Sequence, residues 1–132
     1  MQEVIFDFKE QDSKMFGKIR RPVADLVISN ADKKALMPFY VDSGADLTLV
    51  PKSLGTFLDL KIAEDEITDI QGVGARQVPV ILRKAKIRIG GKEIEVTIAW
   101  SLIEEVPLLL GRKDVFDNFE IIFKENKTIF RY

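Results

Sequence analysis

The 132-residue chain contains neither histidine nor cysteine, so any chemistry it performs falls to carboxylates, Lys, Tyr, Ser or Thr. Ser-His-Asp triads, histidine-bound metals, thiolate nucleophiles, disulfides and cysteine zinc sites are excluded by composition. Among the groups that remain, Asp42 stands out by its setting. Phe39-Tyr40-Val41 runs into Asp42-Ser43-Gly44-Ala45-Asp46 and on to Leu47-Thr48, so an acid directly follows an apolar strand-like run and precedes a turn of small residues. Alone, Asp-Ser-Gly is a common turn, because Asp and Ser bond nearby backbone and Gly accepts positive φ. The same carboxylate becomes a catalyst if a second one faces it. Two carboxylates at hydrogen-bonding distance share one proton, since both cannot ionise together, and thereby supply a base and an acid at once.

Three further segments follow in order. Ile70-Gln71-Gly72-Val73-Gly74-Ala75 is a glycine-rich turn between strand-like runs. No Lys-[Ser/Thr] opening a helix follows it, which argues against a phosphate cradle. Gly90-Gly91 is a two-residue hairpin turn. Val106-Pro107-Leu108-Leu109-Leu110 is an apolar run stopped by Gly111-Arg112-Lys113-Asp114. With the Asp42 segment, these resemble, in the same order, the active-site signature, flap, post-flap strands and late Gly-Arg block of retropepsin-type (retroviral-protease-like, clan AA) aspartic proteases. The resemblance spans about residues 36 to 123.

That resemblance implies a mainly β fold, a retropepsin-like closed β-barrel with one short C-terminal helix (over Arg112 to Asn118), forming a single domain over 1–132. It implies an aspartic endopeptidase that activates water between two Asp42 carboxylates and acts on a peptide or protein substrate. The chain carries one Asp-[Ser/Thr]-Gly only, so the second aspartate must come from an identical subunit, and a homodimer is expected. Supporting roles also follow from the resemblance. Ser43 would bond across the two-fold axis, and Gly44 would let substrate backbone approach closely. Ala45 and Asp46 would line the cleft, while Gln71, Gly72, Val73 and Gly74 would bind substrate as a mobile flap tip. Asp46 and Arg112 would form a buried ion pair. The alternative is a catalytically inactive retropepsin-fold binding or scaffold domain. A plain β-barrel module with an accidental turn is a third reading. Two features depart from the viral pattern: about 20 extra residues precede Pro22, and the tail after Phe123 is long. The viral type builds its dimer by interleaving terminal strands, so these departures leave the dimer sheet open.

The elements that must position these residues are mostly strands. Val4, Phe6 and Phe8 alternate with Ile5, Asp7 and Lys9, a weak first strand, and Val23 to Ser29 forms another run after a charged bend at Lys18 to Pro22. Leu36 to Val41 enters the Asp42 turn, Leu47 to Val50 leaves it, and Pro51 suits the start of a short helical turn through Leu54. Counting outward from Gly90-Gly91 pairs Arg88 with Glu93 and Lys86 with Glu95 on one face. The other face pairs Ile87 with Ile94 and Ala85 with Val96. Apolar positions upstream change phase, with Val78, Val80 and Leu82 even but Ala85, Ile87 and Ile89 odd, which predicts a bulge or bend. Terminal strands are expected at Phe119 to Phe123 and Thr128 to Phe130, around a turn at Glu125-Asn126-Lys127.

Composition bounds the rest. At 46% hydrophobic and 31% charged, the chain is that of a folded protein with its own core. Twenty basic and 21 acidic residues give a net charge of -1, which offers no electrostatic case for nucleic acid. No apolar run approaches the roughly 20 residues of a membrane-spanning helix, and no basic, apolar leader opens the sequence. The expectation is a soluble, cytoplasmic protein with no cofactor and no metal. Glu64-Asp65-Glu66 reads as a solvated charge run, since consecutive side chains diverge.

Overall fold

The Gly90-Gly91 turn sets the register of the longest hairpin, between β8 (Gln77–Ile89) and β9 (Lys92–Ser101). Ile87 faces Ile94, Ala85 faces Val96, Arg88 faces Glu93 and Lys86 faces Glu95, the pairing that charge and apolar alternation predict. Gly90 has φ +62°, and a Cβ there would lie 2.9 Å from the Tyr132 hydroxyl. Both its conformation and its surroundings therefore require glycine. The computed structural model describes residues 1–72 and 76–132.

Strands β4 (Val23–Asn30), β5 (Lys33–Val41), β10 (Leu109–Leu110), β6 (Thr48–Val50), β9 and β8 pair in that order. β8 returns to β4, closing a six-stranded barrel. β7 (Thr68–Gln71) lies outside the closed ring, paired with the start of β8. The interior is filled by side chains that alternate inward, among them Leu26, Ile28, Phe39, Ile81, Ile87 and Trp100. Burying each contributes roughly 1.5–3 kcal/mol. No helix among the described residues is long and apolar enough to cross a membrane.

The predicted bulge in β8 is absent. Pairing with β9 keeps one register from Val80–Ser101 to Ile89–Lys92. The apolar phase changes because the strand serves two clusters on opposite faces. Val78 and Val80 join Ala99 in a small cluster on the side of β7, whereas Ile81, Ala85, Ile87 and Ile89 face the barrel core. The switch falls where β8's second neighbour changes from β7 to β4. Leu82 belongs to neither set and is 44% exposed.

Among the described residues one short α-helix is present, at the helical turn expected after Pro51 and not over Arg112 to Asn118. It is α1 (Lys52–Phe57), preceded by Pro51. Its Gly55 packs under Trp100, where a Cβ would fall 2.0 Å from the indole nitrogen, and that nitrogen donates to the Lys52 carbonyl. The Ser53 hydroxyl and N–H both donate to the Glu104 carboxylate. These bonds hold the Glu104 pKa below its ordinary value and satisfy two donors at the helix start. The Arg112–Asn118 segment is instead a succession of turns. Asp114 adopts φ +67°, a left-handed conformation that a helix interior does not accommodate.

The termini form a separate three-stranded sheet, ordered β1 (Glu3–Asp7), β12 (Lys127–Arg131), β11 (Glu120–Lys124). The β11–β12 turn is tight, with Glu125 and Asn126 both at positive φ. Phe130 is fully buried and meets Phe6 and Phe119 edge to face, which fastens this sheet to the barrel. The charged bend expected before Pro22 is part of a two-stranded ribbon, β2 (Lys9–Ser13) with β3 (Gly17–Arg21). Its cross-strand pairs Glu10–Arg20 and Asp12–Lys18 balance the charge that made the sequence look like a bend.

Candidate active site

Asp42 leaves the end of β5, where the backbone is held on both sides. β10 runs parallel to β5, with Val41 beside Leu110, and the Asp42 N–H donates to the Leu110 carbonyl at 3.0 Å. On the other side the Val41 N–H donates to the Pro22 carbonyl at 2.9 Å. Beyond this clamp the chain turns tightly. The Ala45 N–H donates to the Asp42 carbonyl, and Asp42 Oδ1 accepts the Gly44 N–H at 2.9 Å. The turn chemistry of Asp-Ser-Gly is therefore realised, and it orients the carboxylate. A Cβ on Gly44 would lie 3.2 Å from Asp42 Oδ1, so any side chain there would press on the acid.

A second segment supports this turn from behind. The Arg112 N–H donates to the Ala45 carbonyl and the Lys113 N–H to the Asp46 carbonyl. The buried Thr48 hydroxyl accepts the Gly111 N–H at 3.1 Å. Gly111 approaches so closely that a Cβ would lie 2.3 Å from the Leu47 carbonyl oxygen. The sequence reading named Thr48 and Gly111 only as parts of the Asp42 segment and the late Gly-Arg block and gave neither this supporting role. The signals were present in a hydroxyl residue just after the turn and a glycine ending the late apolar run. The Arg112 guanidinium contacts the Asp46 carboxylate and donates to the Ser43 carbonyl. The pair is not buried in this chain, as its side chains are 52% and 83% exposed. The pairing itself forms within one chain, while the expected burial concerns the contact between two copies.

The Asp42 turn borders a cleft of about 530 Å³. Asp42, Gly44, Ala45, Asp46, Gln71 and Gly72 all line it. Ser43 is exposed outside the lining, and Val73 and Gly74 lie outside the described residues. The arms on either side of them are a strand pair. Gln71 faces Gln77, and the Gly72 N–H donates to the Arg76 carbonyl at 2.6 Å. The walls are apolar, formed by Leu47, Leu49, Ile70, Val78, Val106 and Leu109. The sequence reading placed these residues in strands and turns but not in a cleft wall, because they come from four separate segments that only the fold brings together. Glu105 and Arg76 add charge to the lining. Among the described residues, no three His, Cys, Asp or Glu gather as metal ligands.

A further contact ties the late block to the barrel. Asp114 accepts the Thr97 N–H of β9 at 2.8 Å, and this bond, opposed by partial desolvation, holds its pKa below the ordinary carboxylate value.

No protein-family model and no curated protein matches the chain by sequence. Solved structures do match by shape. A retropepsin-like aspartic protease from Rickettsia conorii superposes with a TM-score of 0.63 at 17% identity, covering 99% of this chain and 91% of that one. EIAV protease, complexed with the inhibitor HBY-793, superposes with a TM-score of 0.58 at 23% identity, covering 74% of this chain and 86% of that one. At such identities the likeness is one of fold, and the fold is retropepsin-like.

Proposed function

We propose that this chain is one subunit of a homodimeric aspartic endopeptidase, with Asp42 supplied once by each copy. The observation that carries this reading is the position of Asp42. It is a rigidly clamped carboxylate on an apolar-walled cleft, beneath the arms of a hairpin, in a retropepsin-like fold. A cleft of mixed apolar wall and few polar groups suits an extended peptide, whose side chains fill the wall while its backbone reaches the acid.

The chemistry follows from the two carboxylates and a water between them. They hold one proton, which belongs to the pair. The ionised carboxylate takes a proton from water as the water oxygen bonds to the scissile carbonyl carbon, and the protonated one gives its proton to the carbonyl oxygen. The tetrahedral diol then collapses: one hydroxyl proton returns to the dyad, the C–N bond breaks, and the leaving nitrogen takes the other dyad proton. One shared proton remains and the cycle closes.

The test is cleavage of a mixed peptide library by the wild type and by Asp42→Asn. The near-isosteric amide cannot act as base, so cleavage should fall by about 10²–10⁴-fold with an unchanged unfolding midpoint. Equal cleavage by both proteins would remove Asp42 from the mechanism. Cleavage by neither, with the wild type folded and dimeric, would favour a binding domain.

A further inference from the structure

The two-copy site proposed above requires a contact between copies, and the molecule has four unpaired strand edges outside the barrel sheet. They are the outer edges of β1 and β11 in the terminal sheet, and of β2 and β3 in the ribbon. A two-fold dimer joined along one of these edges pairs the strand antiparallel with itself, and full overlap of the strands places the axis at its middle residue. The charges then discriminate. On β1, Glu3 would oppose the partner's Asp7. On β2, Glu10 would oppose the partner's Asp12. On β3, Lys18 would oppose the partner's Arg20. Like charges directly opposite are destabilising in all three. On β11 (Glu-Ile-Ile-Phe-Lys), Glu120 instead opposes the partner's Lys124 at both ends. Ile121 opposes the partner's Phe123, and Ile122 meets the partner's Ile122.

Two further observations favour the same edge. Within one chain Lys124 stands opposite Lys127, whose ammonium already meets Asp7, whereas Lys124 has no acidic partner among the described residues. The partner's Glu120, which in its own chain lies 3.4 Å from Arg131, would supply one. Ile122 also shares the outer face with Ile129 and the 52%-exposed Ile5, to which it is linked through the register. Self-pairing of β11 would extend this three-residue apolar row into a continuous one across the dimer. Phe123, 43% exposed on the opposite face, would gain the partner's Ile121 as a neighbour. An exposed strand edge with such side chains is a template for pairing.

We propose that β11 is the dimer edge, and that two copies join it antiparallel about Ile122 into a six-stranded sheet ordered β1-β12-β11-β11-β12-β1. Each copy keeps its own β11–β12 hairpin, so no terminal strand is exchanged between them. On this proposal the two-fold axis at β11 is also the one that must relate the two Asp42 turns.

Charge reversal tests the register directly, with sedimentation as the readout. K124E sets acid against acid at both ends of the pair, and E120K sets lysine against lysine. Each alone should raise the dimer dissociation constant about tenfold or more at low ionic strength. An equimolar mixture of K124E and E120K restores opposite charges at both ends of a mixed dimer, and should return to near wild-type affinity. Unchanged dimerisation in K124E, failure of the mixture to recover, or a monomeric wild type at every concentration would overturn the pairing. Cleavage measured alongside separates the two proposals. A wild type that cleaves peptides while K124E dimerises normally would retain the protease and reject this edge. A dimer that obeys the charge test but cleaves nothing would retain the edge and reject the protease.

Discussion

Asp42 owes its orientation to two unlike kinds of neighbour. Its own turn supplies the Gly44 N–H, a local bond legible in Asp-Ser-Gly, while the opposing segment from Leu110 to Lys113 supplies bonds from about seventy residues away. Gly111 is the tightest of these contacts. Gly111→Ala places a Cβ against the Leu47 backbone, which cannot yield without moving the loop, so a loss of about 1–3 kcal/mol is expected in urea unfolding. Peptide cleavage should fall with it. An unchanged midpoint with full activity would show that the loop adapts freely. Arg112 presents the opposite case. Exposed ion pairs contribute roughly 0–1 kcal/mol, so Arg112→Ala should cost less than about 1 kcal/mol when unfolding is followed at concentrations where the chain is monomeric. A cost of about 3–5 kcal/mol, the range for stranding a buried charge, would mean that the guanidinium is enclosed within a single chain.

Among the elements, the turns from Arg112 to Asn118 illustrate how a single tertiary bond replaces a helix. The sequence has helix-compatible residues there, but Asp114 turns left-handed and accepts the Thr97 N–H. Asp114→Ala should therefore destabilise the fold by about 1 kcal/mol near neutral pH. The folded carboxyl has a pKa below its ordinary 3.8, so its contribution is present above that value and is lost as pH falls through the lower folded pKa. The difference in stability between wild type and Asp114→Ala, followed from pH 6 to pH 2, should accordingly shrink with acidification. A difference that grew toward low pH would assign the bond the wrong protonation state. β8 shows the same influence of tertiary context. Its change of apolar phase reflects two cores on two faces and leaves the ladder continuous.

For the whole molecule the decisive quantity is the number of aspartates per site. On the proposed mechanism, one Asp42 per chain means that a dimer of wild type and Asp42→Asn lacks either the base or the acid. After exchange with an equal amount of mutant, about half of all dimers are mixed, and activity per wild-type chain should drop to about half. Excess mutant should lower it further. Activity that stays constant while exchange is confirmed by labelled subunits would place a complete site inside one chain. The terminal sheet bears on the same question. Because β12 is flanked by β1 and β11 of its own chain, it has no edge left to lend to a partner. A dimer must therefore use an outer strand of this sheet or another surface.

The sequence by itself determined the strand-rich fold and the hairpin register about Gly90-Gly91, which depend on local rules: turn residues with permissive φ and alternation of period two. The grouping of Asp42, Gly44, Ala45 and Asp46 with Gln71 and Gly72 is expected only from the resemblance carried by motifs in a fixed order. Tertiary structure decided what depends on distant contacts. It closed the six strands into a barrel and placed Gly111 and Thr48 behind the Asp42 turn. It gathered the cleft wall from Leu47, Ile70, Val78 and Val106, replaced the helix expected over Arg112 to Asn118 by turns, and left the Arg112–Asp46 pair exposed in the single chain. The physical reason is that a side chain's burial and a backbone group's partner are properties of the packed chain. Residues far apart in sequence carry no local signal of which neighbours they will meet.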